Sequence, residues 1–235
     1  MSRFFKVVGH RGMPSRYPEN TLPSFKAAIE AGVDAIEFDV HPTCDGRLVV
    51  THDDTLERCS NGSGPVHDRT LAELRKLDFG SWKGAAFVGT QIPVLEEVLD
   101  LACAMSDTLE LLIELKEDDE RCALAVLEEI TRRGILDRDV NLSFYANLLK
   151  QLHEREPRLR LQGFPLKVFA RPEQDAYEWL FRLCLWRQEI TREEVDAFHA
   201  RGIEVDVCPV DSGEDLEAIR NLEVDTVTTN AADVL

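Results

Sequence analysis

Short apolar runs alternate with longer amphipathic segments along most of the chain, and this alternation predicts repeated βα units. Eight runs have the length and composition of buried strands: Phe4–Gly9, Ala35–Val40, Leu109–Leu115, Val140–Phe144, Arg158–Gln162, Phe181–Leu185, Ile203–Cys208 and Asp225–Thr228. Helical patterns between them include Thr21–Ala31, Leu95–Ala104, Arg121–Arg133, Arg192–Ala200 and Asp215–Asn221. The pattern is least regular between residues 163 and 180, where Pro165 and Pro172 interrupt it. Eight such units suit an α/β fold in which a parallel sheet closes into a (β/α)8 barrel.

One long segment, residues 53–92, does not fit this alternation. It is rich in Gly, Ser and Asp, and it holds only one short helical pattern. We interpret it as an insertion after the second strand, within a single domain that spans residues 1–235. Long insertions in compact domains tend to be functional, so we expect a lid or a substrate wall, with Trp82 and Phe87 as its apolar contacts.

Two of the predicted strands carry acidic residues on one face. In Ala35–Val40 the period of two places Glu37 and Asp39 opposite apolar residues, and in Leu109–Leu115 it does the same for Glu114. Taken singly, each is most simply a solvent-facing residue of a half-buried strand. The strands of an all-parallel barrel have no solvated face, so these carboxylates would point inward, where they need a cation or hydrogen bonds. Three oxygen ligands without a cysteine cluster favour one hard divalent cation, Mg²⁺ or Ca²⁺.

Charge and composition limit the partners. The formal charge is −17, from 27 basic and 44 acidic side chains, which repels polyanions. We therefore expect no nucleic-acid partner and no stable membrane association. An anionic substrate would need local positive charge, which a bound cation would supply together with Arg11 and Lys116. Arg11 could instead form a salt bridge with Glu19. The chain shows neither a signal-peptide pattern nor an apolar run long enough to cross a membrane, so we expect a cytoplasmic protein.

Two histidines would project at the mouth of the barrel. His10 follows the first predicted strand, and His52 ends a shorter strand-like run. Imidazole titrates near neutral pH, so a pair of histidines beside a phosphodiester could move the protons of its hydrolysis. A lone histidine at a strand end is more often a satisfied polar group, and the hypothesis depends on the pair occurring together with three carboxylates. Glu19 and Asn20 are expected to orient the histidines or Arg11. Four further histidines, placed in loops or helical patterns, receive no role: His41, His67, His153 and His199.

An ordered set of motifs resembles the glycerophosphodiester phosphodiesterases. The motifs are Gly9-His10-Arg11-Gly12, Pro18-Glu19-Asn20-Thr21, Glu37-Phe38-Asp39-Val40, Thr43-Cys44-Asp45-Gly46, His52-Asp53, Asp78-Phe79-Gly80-Ser81, Ile92-Pro93-Val94-Leu95-Glu96-Glu97-Val98 and Ile113-Glu114-Leu115-Lys116. The second half of the chain is less similar. Where the family usually has a Trp-Thr-Val-Asn-like run, this chain has Cys208-Pro209-Val210-Asp211. This departure removes the aromatic side chain of that run, so the alcohol or glycerol group that the enzyme prefers does not follow from the resemblance.

The resemblance implies a TIM barrel with a small insertion after the second strand. It also implies hydrolysis of glycerophosphodiesters to sn-glycerol 3-phosphate and an alcohol. By motif, the ligands of one divalent cation are Glu37, Asp39 and Glu114, the acid–base pair is His10 and His52, and the phosphate contacts are Arg11 and Lys116. We expect Glu19, Asn20 and Trp82 to support this site.

Two other functions fit the same residues. A lysophospholipase D or a cyclising phospholipase could use them on a longer lipid substrate, and an exposed apolar mouth would then be expected. A function of a different class is also open: the barrel could bind a phosphorylated metabolite or a protein partner without catalysing a reaction, because a fold alone does not establish an activity. Neither the oligomeric state nor the roles of the two histidines as acid or base follow from the residues.

Overall fold

Eight parallel strands close into a barrel in the computed structural model, which describes residues 5–234. With one further strand, β3, the described residues form nine: β1 (Lys6–Gly9), β2 (Ala35–Pro42), β3 (Leu48–Val50), β4 (Glu110–Leu115), β5 (Asp139–Leu142), β6 (Arg160–Gly163), β7 (Arg182–Trp186), β8 (Glu204–Cys208) and β9 (Thr226–Thr229). Strand β1 pairs in parallel with both β2 and β9, which closes the ring. Strand β3 lies outside the ring and is antiparallel to β2. The fold is the predicted TIM barrel.

Helices surround the barrel in the connections between its strands. They are α1 (Leu22–Glu30), α2 (Leu71–Leu74), α3 (Leu95–Met105), α4 (Glu120–Arg133), α5 (Ala146–Arg155), α6 (Ala176–Trp179), α7 (Arg192–His199) and α8 (Gly213–Ile219), with short 3₁₀ helices at Ala85–Phe87 and Leu136–Arg138. Helix α4 shows how the sequence sets its ends. The carboxylate of Asp119 accepts a hydrogen bond from the backbone of Arg121, and Gly134 ends the helix in the left-handed conformation at φ 68°.

The main apolar core lies between the strands and the helices. On β2 the outward residues Ile36, Phe38 and Val40 are fully buried, and the ring of Phe38 packs edge-on against Phe25 of α1 at 5.8 Å. The alternate residues of the strands point into the barrel, and many of these are polar. The outer face of each strand packs against helices, and the inner face is enclosed by the barrel. Polar groups on the inner face are therefore removed from water and must be paired with one another or with a ligand.

Charged side chains fill the end of the barrel opposite the mouth. Arg182 is completely buried and contacts Glu110 at 3.0 Å and Glu204 at 2.9 Å. Glu110 also accepts from Lys6 and Arg160. This network closes the lower end of the barrel, which leaves its upper end for a site.

The segment after β3 forms a small apolar cluster of its own. The cluster consists of Val49, Leu56, Val66, Leu74, Phe79, Ile92 and Val94. The segment contacts the loop after β1, because the ammonium of Lys83 donates to the carbonyl of Pro14 and the ring of Phe87 lies 5.5 Å from that of Tyr17. The segment after β3 therefore lies beside the loop that follows β1.

Several details differ from the predicted elements. The first predicted strand begins at Phe4, which lies outside the described residues, and β3 is an additional strand that was marked only as a run before His52. The irregular stretch between residues 163 and 180 contains the four-residue helix α6, whose short length accounts for the weak pattern. His41 was placed in a loop or a helix, but it belongs to β2. Within residues 5–234, the helices are all too short or too polar to cross a membrane.

Candidate active site

Three carboxylates meet inside the upper end of the barrel. Glu37 and Asp39 lie on β2, and Glu114 lies on β4 directly opposite Asp39 in the strand register. One oxygen from each of the three lies within 4.8 Å of the others. All three side chains are buried, and Asp39 is completely inaccessible. The inward direction predicted from the period of two is therefore what the barrel produces.

Two cationic side chains face this cluster. The ammonium of Lys116 lies 2.7 Å from Glu114 and 3.1 Å from Asp39. The guanidinium of Arg11 lies 3.6 Å from Asp39, and the backbone N–H of Arg11 donates to Glu37 at 2.8 Å. Three carboxyl groups thus face two positive side chains.

The pKa values of the three carboxyl groups differ strongly. Burial acts to raise the pKa of Asp39, but the charges of Lys116 and Arg11 outweigh it and hold that pKa at about 2. Burial raises the pKa of Glu114 to about 7, and the charge of Asp39 adds to the shift. Burial and the charges of the neighbouring carboxylates raise the pKa of Glu37 well above its usual value. Without a bound cation, Asp39 is therefore the carboxyl group held most firmly in its ionised form, whereas Glu37 and Glu114 favour their protonated forms.

A divalent cation fits this arrangement. Within the described part of the chain, Glu37 Oε1 is buried and accepts no hydrogen bond, while Asp39 Oδ1 is buried and lies 3.1 Å from the ammonium of Lys116. A buried carboxylate oxygen without a donor is costly, and a bound ion would remove that cost. Glu37, Asp39 and Glu114 are thus an acidic cluster that could hold a metal, and their oxygen ligands suit a hard ion.

His10 lies at the end of β1 beside this cluster. Its Nδ1 is 2.8 Å from Oδ1 of Asn230, and its Nε2 is 3.9 Å from Glu37. Burial lowers the pKa of His10 to about 4, and the adjacent charge of Arg11 contributes to this shift. The ring is therefore uncharged at neutral pH.

His52 follows β3 and has a different environment. Its Nδ1 lies 2.7 Å from the carboxylate of Asp53, which accepts two hydrogen bonds from Arg58 at 2.6 and 2.8 Å. Arg58 also donates twice to Glu19, and Glu19 accepts from Arg11. Burial lowers the pKa of His52, and the charge of Asp39 opposes that shift. A continuous chain of charged groups thus joins the second histidine to Arg11.

A third histidine, His41, contacts the backbone of His52. It is 2% exposed, and its Nε2 lies 3.2 Å from the backbone oxygen of His52. Its Nδ1 lies 2.9 Å from Glu117. Because His41 follows Asp39 by two positions on β2, it shares the inward face of that strand. The same period of two that identified Glu37 and Asp39 could have identified it.

These groups surround a cavity of about 270 Å³. Its opposite wall is aromatic: Phe144 stacks on Phe164 with ring centres 3.9 Å apart, and Phe164 stacks on Trp186 at 5.6 Å. The sequence suggested that an aromatic wall is lost at Cys208. In the strand register Trp186 lies directly beside Cys208, so the neighbouring strand supplies the indole instead.

The structure brings most of the expected site residues together. Those that line the cavity are His10, Arg11, Glu37, His52, Glu114 and Lys116. Asp39 and Asn20 lie directly behind them, and Asn20 donates to Asp39 at 2.6 Å. Glu19 forms a salt bridge with Arg11 at 2.9 Å, the contact that was considered as the alternative. Through the same contact Glu19 would orient Arg11. Trp82 does not join the described lining; it is 39% exposed and donates to the backbone of Phe79.

Other groups at the site were not identified from the sequence. Asp53 contacts His52 and accepts from Arg58, while Asn230 contacts His10 and donates to Asp211. The His52-Asp53 pair was visible as a motif, but Asn230 is 220 positions from His10 and only closure of the barrel by β1 and β9 unites them.

Comparison with known proteins places the chain in a family. A model of the glycerophosphoryl diester phosphodiesterase family matches residues 10–234. The chain belongs to this family. It is 33% identical over 237 residues to a glycerophosphodiester phosphodiesterase of Caldanaerobacter subterraneus subsp. tengcongensis, a match that covers 97% of this chain and 95% of that protein.

Solved structures of family members have the same barrel. A glycerophosphodiester phosphodiesterase from Agrobacterium tumefaciens superposes with a TM-score of 0.82 at 28% identity, over 97% of both chains. A phosphodiesterase from Oleispira antarctica, solved with the product sn-glycerol 3-phosphate, superposes with a TM-score of 0.86 at 26% identity, over 97% of this chain and 94% of that one. The family consists of phosphoric diester hydrolases, so the chain is an enzyme and not the non-catalytic barrel that the sequence left open.

Proposed function

We propose that this enzyme hydrolyses glycerophosphodiesters to sn-glycerol 3-phosphate and an alcohol, in a reaction that requires Mg²⁺ or Ca²⁺. The observation that carries the proposal is the convergence of three buried carboxylates, two histidines and two cationic side chains on one cavity. The product bound to the Oleispira antarctica relative, sn-glycerol 3-phosphate, is also the product proposed here. Glu37, Asp39 and Glu114 would hold the ion, which when bound would withdraw negative charge from a phosphate oxygen.

Arg11 and Lys116 serve as the phosphate contacts in this proposal. The planar guanidinium of Arg11 can donate to two phosphate oxygens at once, and the carboxylate of Glu19, 2.9 Å away, fixes its position. Lys116 is anchored between Asp39 and Glu114 and supplies a compact positive charge. Together they give an anionic substrate a local attraction that the net charge of −17 does not.

The two histidines have environments that suit opposite proton transfers. His10 is uncharged at neutral pH because burial lowers its pKa to about 4, so it is suited to accept a proton from the nucleophile. His52 donates from Nδ1 to the carboxylate of Asp53, and this contact and the charge of Asp39 favour a second proton on the ring, at Nε2, against the burial that lowers its pKa. In that doubly protonated form, Nε2 of His52 would deliver its proton to the leaving oxygen of the alcohol.

The aromatic wall supports a second candidate substrate. Phe144, Phe164 and Trp186 offer an apolar surface across the cavity from the cationic groups, and such a surface also suits the apolar part of a lysophospholipid. Lysophospholipase D activity would use the same residues on this longer substrate.

A substrate panel tests the proposal. The enzyme is incubated with glycerophosphocholine, glycerophosphoethanolamine, glycerophosphoglycerol and a choline lysophospholipid, each with Mg²⁺, Ca²⁺ or a chelator, and both sn-glycerol 3-phosphate and free choline are quantified. We expect release from the three glycerophosphodiesters only when metal is present. Release from none of them, or full release with chelator, would contradict the proposal, and choline release from the lysophospholipid alone would favour the second candidate.

Two substitutions test the histidine roles. His10→Ala and His52→Ala should each lower kcat by about 100-fold or more, since positioned acid–base groups typically contribute that much. The matched control is His67→Ala, because His67 is exposed and its ion-pair partner is Asp68 at 3.5 Å. Near-wild-type rates in folded His10→Ala or His52→Ala protein would remove the acid–base assignment.

A further inference from the structure

We propose that Asp211 is a positioning residue for catalysis: it orients the side-chain amide of Asn230, and this amide holds His10 in the tautomer that carries its proton on Nδ1. The inference rests on the proposed function, in which His10 accepts a proton, and it assigns roles to two residues that were given none from the sequence. Asn230 lines the cavity beside His10, and Asp211 contacts Asn230. They act through His10.

The orientation of the Asn230 amide follows from its contact with Asp211. The carboxylate oxygen Oδ2 of Asp211 lies 2.8 Å from Asn230 Nδ2. A carboxylate only accepts hydrogen bonds, so the NH₂ group of the amide must face Asp211 and its oxygen must face the other way. That oxygen lies 2.8 Å from Nδ1 of His10.

The tautomer of His10 follows from the same reasoning. An amide oxygen only accepts, so Nδ1 of His10 must be the donor and must carry the proton. In the uncharged ring, Nε2 then holds the lone pair. Nε2 is the nitrogen that lies 3.9 Å from Glu37, on the side of the acidic cluster, so the lone pair is available where the reaction takes place.

Asp211 is itself held firmly. Its Oδ1 accepts from the backbone of Asn230 at 2.7 Å and from the hydroxyl of Thr229 at 3.3 Å, and its own N–H donates to Asp215 at 3.1 Å. Both carboxylate oxygens are therefore engaged by the residues that end β9. Rotation of the Asn230 amide would place its oxygen against a carboxylate oxygen, which is repulsive.

The substitution Asp211→Asn reverses this constraint. The new amide keeps an oxygen for the backbone of Asn230 and presents its NH₂ group to the Asn230 side chain, which must then turn its own oxygen toward residue 211. The NH₂ group of Asn230 now faces His10, so Nδ1 becomes the acceptor and the proton moves to Nε2. We expect kcat to fall by about 100-fold with KM unchanged, because the acceptor nitrogen is lost while the phosphate contacts remain.

Exchange of the two residues should restore the arrangement. In the double variant Asp211→Asn, Asn230→Asp, residue 211 donates to the new carboxylate at 230, which accepts from Nδ1 of His10. We expect kcat to recover to within about fivefold of the wild-type value, although the double variant carries one more change than the single one. A residue that only stabilised the loop would give no such rescue. Glu217→Gln on the exposed side of α8 is the control and should have no effect.

The tautomer can be read directly and independently of turnover. In metal-loaded protein with ¹⁵N-labelled histidine, long-range ¹H–¹⁵N spectra show which ring nitrogen of His10 is protonated. We expect Nδ1–H in the wild type and in the double variant, and Nε2–H in Asp211→Asn. Nδ1–H in Asp211→Asn, or a double variant no more active than the single one, would overturn the proposal. If the wild type shows Nδ1–H but hydrolyses no glycerophosphodiester, the proposed function fails and the positioning role of Asp211 in catalysis fails with it, while the hydrogen-bond assignment stands.

Discussion

Removal of Lys116 should destabilise the metal-free enzyme far more than removal of an exposed lysine. In the structure Lys116 is 13% exposed in its side chain and contacts two buried carboxylates, Glu114 at 2.7 Å and Asp39 at 3.1 Å. The substitution Lys116→Met keeps most of the volume and the apolar stem but removes the charge. It leaves Arg11 as the nearest positive side chain to the three carboxylates.

The expected loss follows from the cost of an unpaired buried charge. Breaking a buried ion pair from one side typically costs about 3–5 kcal/mol, which corresponds to a fall in Tm of roughly 6–20 °C for a chain of this length. The cost depends on pH through Glu114, whose folded pKa is about 7 against an ordinary value of 4.5. A raised carboxyl pKa contributes stability below pH 4.5 that is lost as pH rises through 7. The effect of Lys116→Met should therefore be smallest in acid, where Glu114 is neutral, and largest above pH 7.

Urea unfolding in the presence of a chelator measures this difference. The matched control is Lys150→Met, since Lys150 also contacts two carboxylates, Glu173 at 3.1 Å and Asp175 at 2.9 Å, but on the surface. Exposed ion pairs contribute about 0–1 kcal/mol, so the control should change little. Equal losses in the two variants, or a loss under about 1 kcal/mol for Lys116→Met at pH 8, would refute the idea that Lys116 balances a buried acidic cluster.

Three further predictions concern other parts of the barrel. Burial acts to raise the pKa of Glu110, but the charge of Arg182 outweighs it and holds that pKa at about 2, so this carboxylate contributes stability above pH 4.5 that is lost as pH falls through 2. Glu110→Gln should reduce the difference in unfolding free energy between pH 7 and pH 2 by about 3 kcal/mol, and an unchanged acid dependence in urea titrations would contradict this. Trp186→Ala should raise KM for glycerophosphodiesters by roughly 2–10-fold with little change in kcat, because a stacked ring contributes about 0.5–1.5 kcal/mol, and an unchanged KM would mean that substrate does not touch the wall. His41→Ala should lower kcat by roughly fivefold through loss of a hydrogen bond of about 1 kcal/mol to the backbone of His52, and full activity would show that His52 needs no such support.

The barrel could be predicted from the sequence because its strands and helices have different hydrophobic periods. Strand β2 shows why the prediction was incomplete, since its alternation continues through His41 but the predicted run ended at Val40. Strand β3 was recognisable only as an apolar run, because a period does not reveal whether a strand joins the ring or pairs antiparallel outside it. Helix α6 has four residues, too few for a helical period to appear.

The acidic half of the site was predictable for a local reason. Glu37 and Asp39 share one strand face, so a short stretch of sequence already places both inside the barrel. The support of His10 was not predictable, because Asn230 reaches it only through the pairing of the first and last strands. The aromatic wall was missed for a similar reason: Phe164 follows β6 and Trp186 ends β7, and each alone is indistinguishable from a core residue.

The central claim is that Glu37, Asp39 and Glu114 together hold one divalent cation on which hydrolysis depends. Calorimetric titration of Mg²⁺ or Ca²⁺ into chelator-treated wild type and Glu114→Gln, with glycerophosphocholine turnover followed in the same samples, tests it most directly. The account predicts one ion per wild-type chain, turnover that rises in proportion to bound ion, and loss of both in the variant. Metal binding of wild-type strength by Glu114→Gln, or full turnover by the wild type without bound ion, would contradict it.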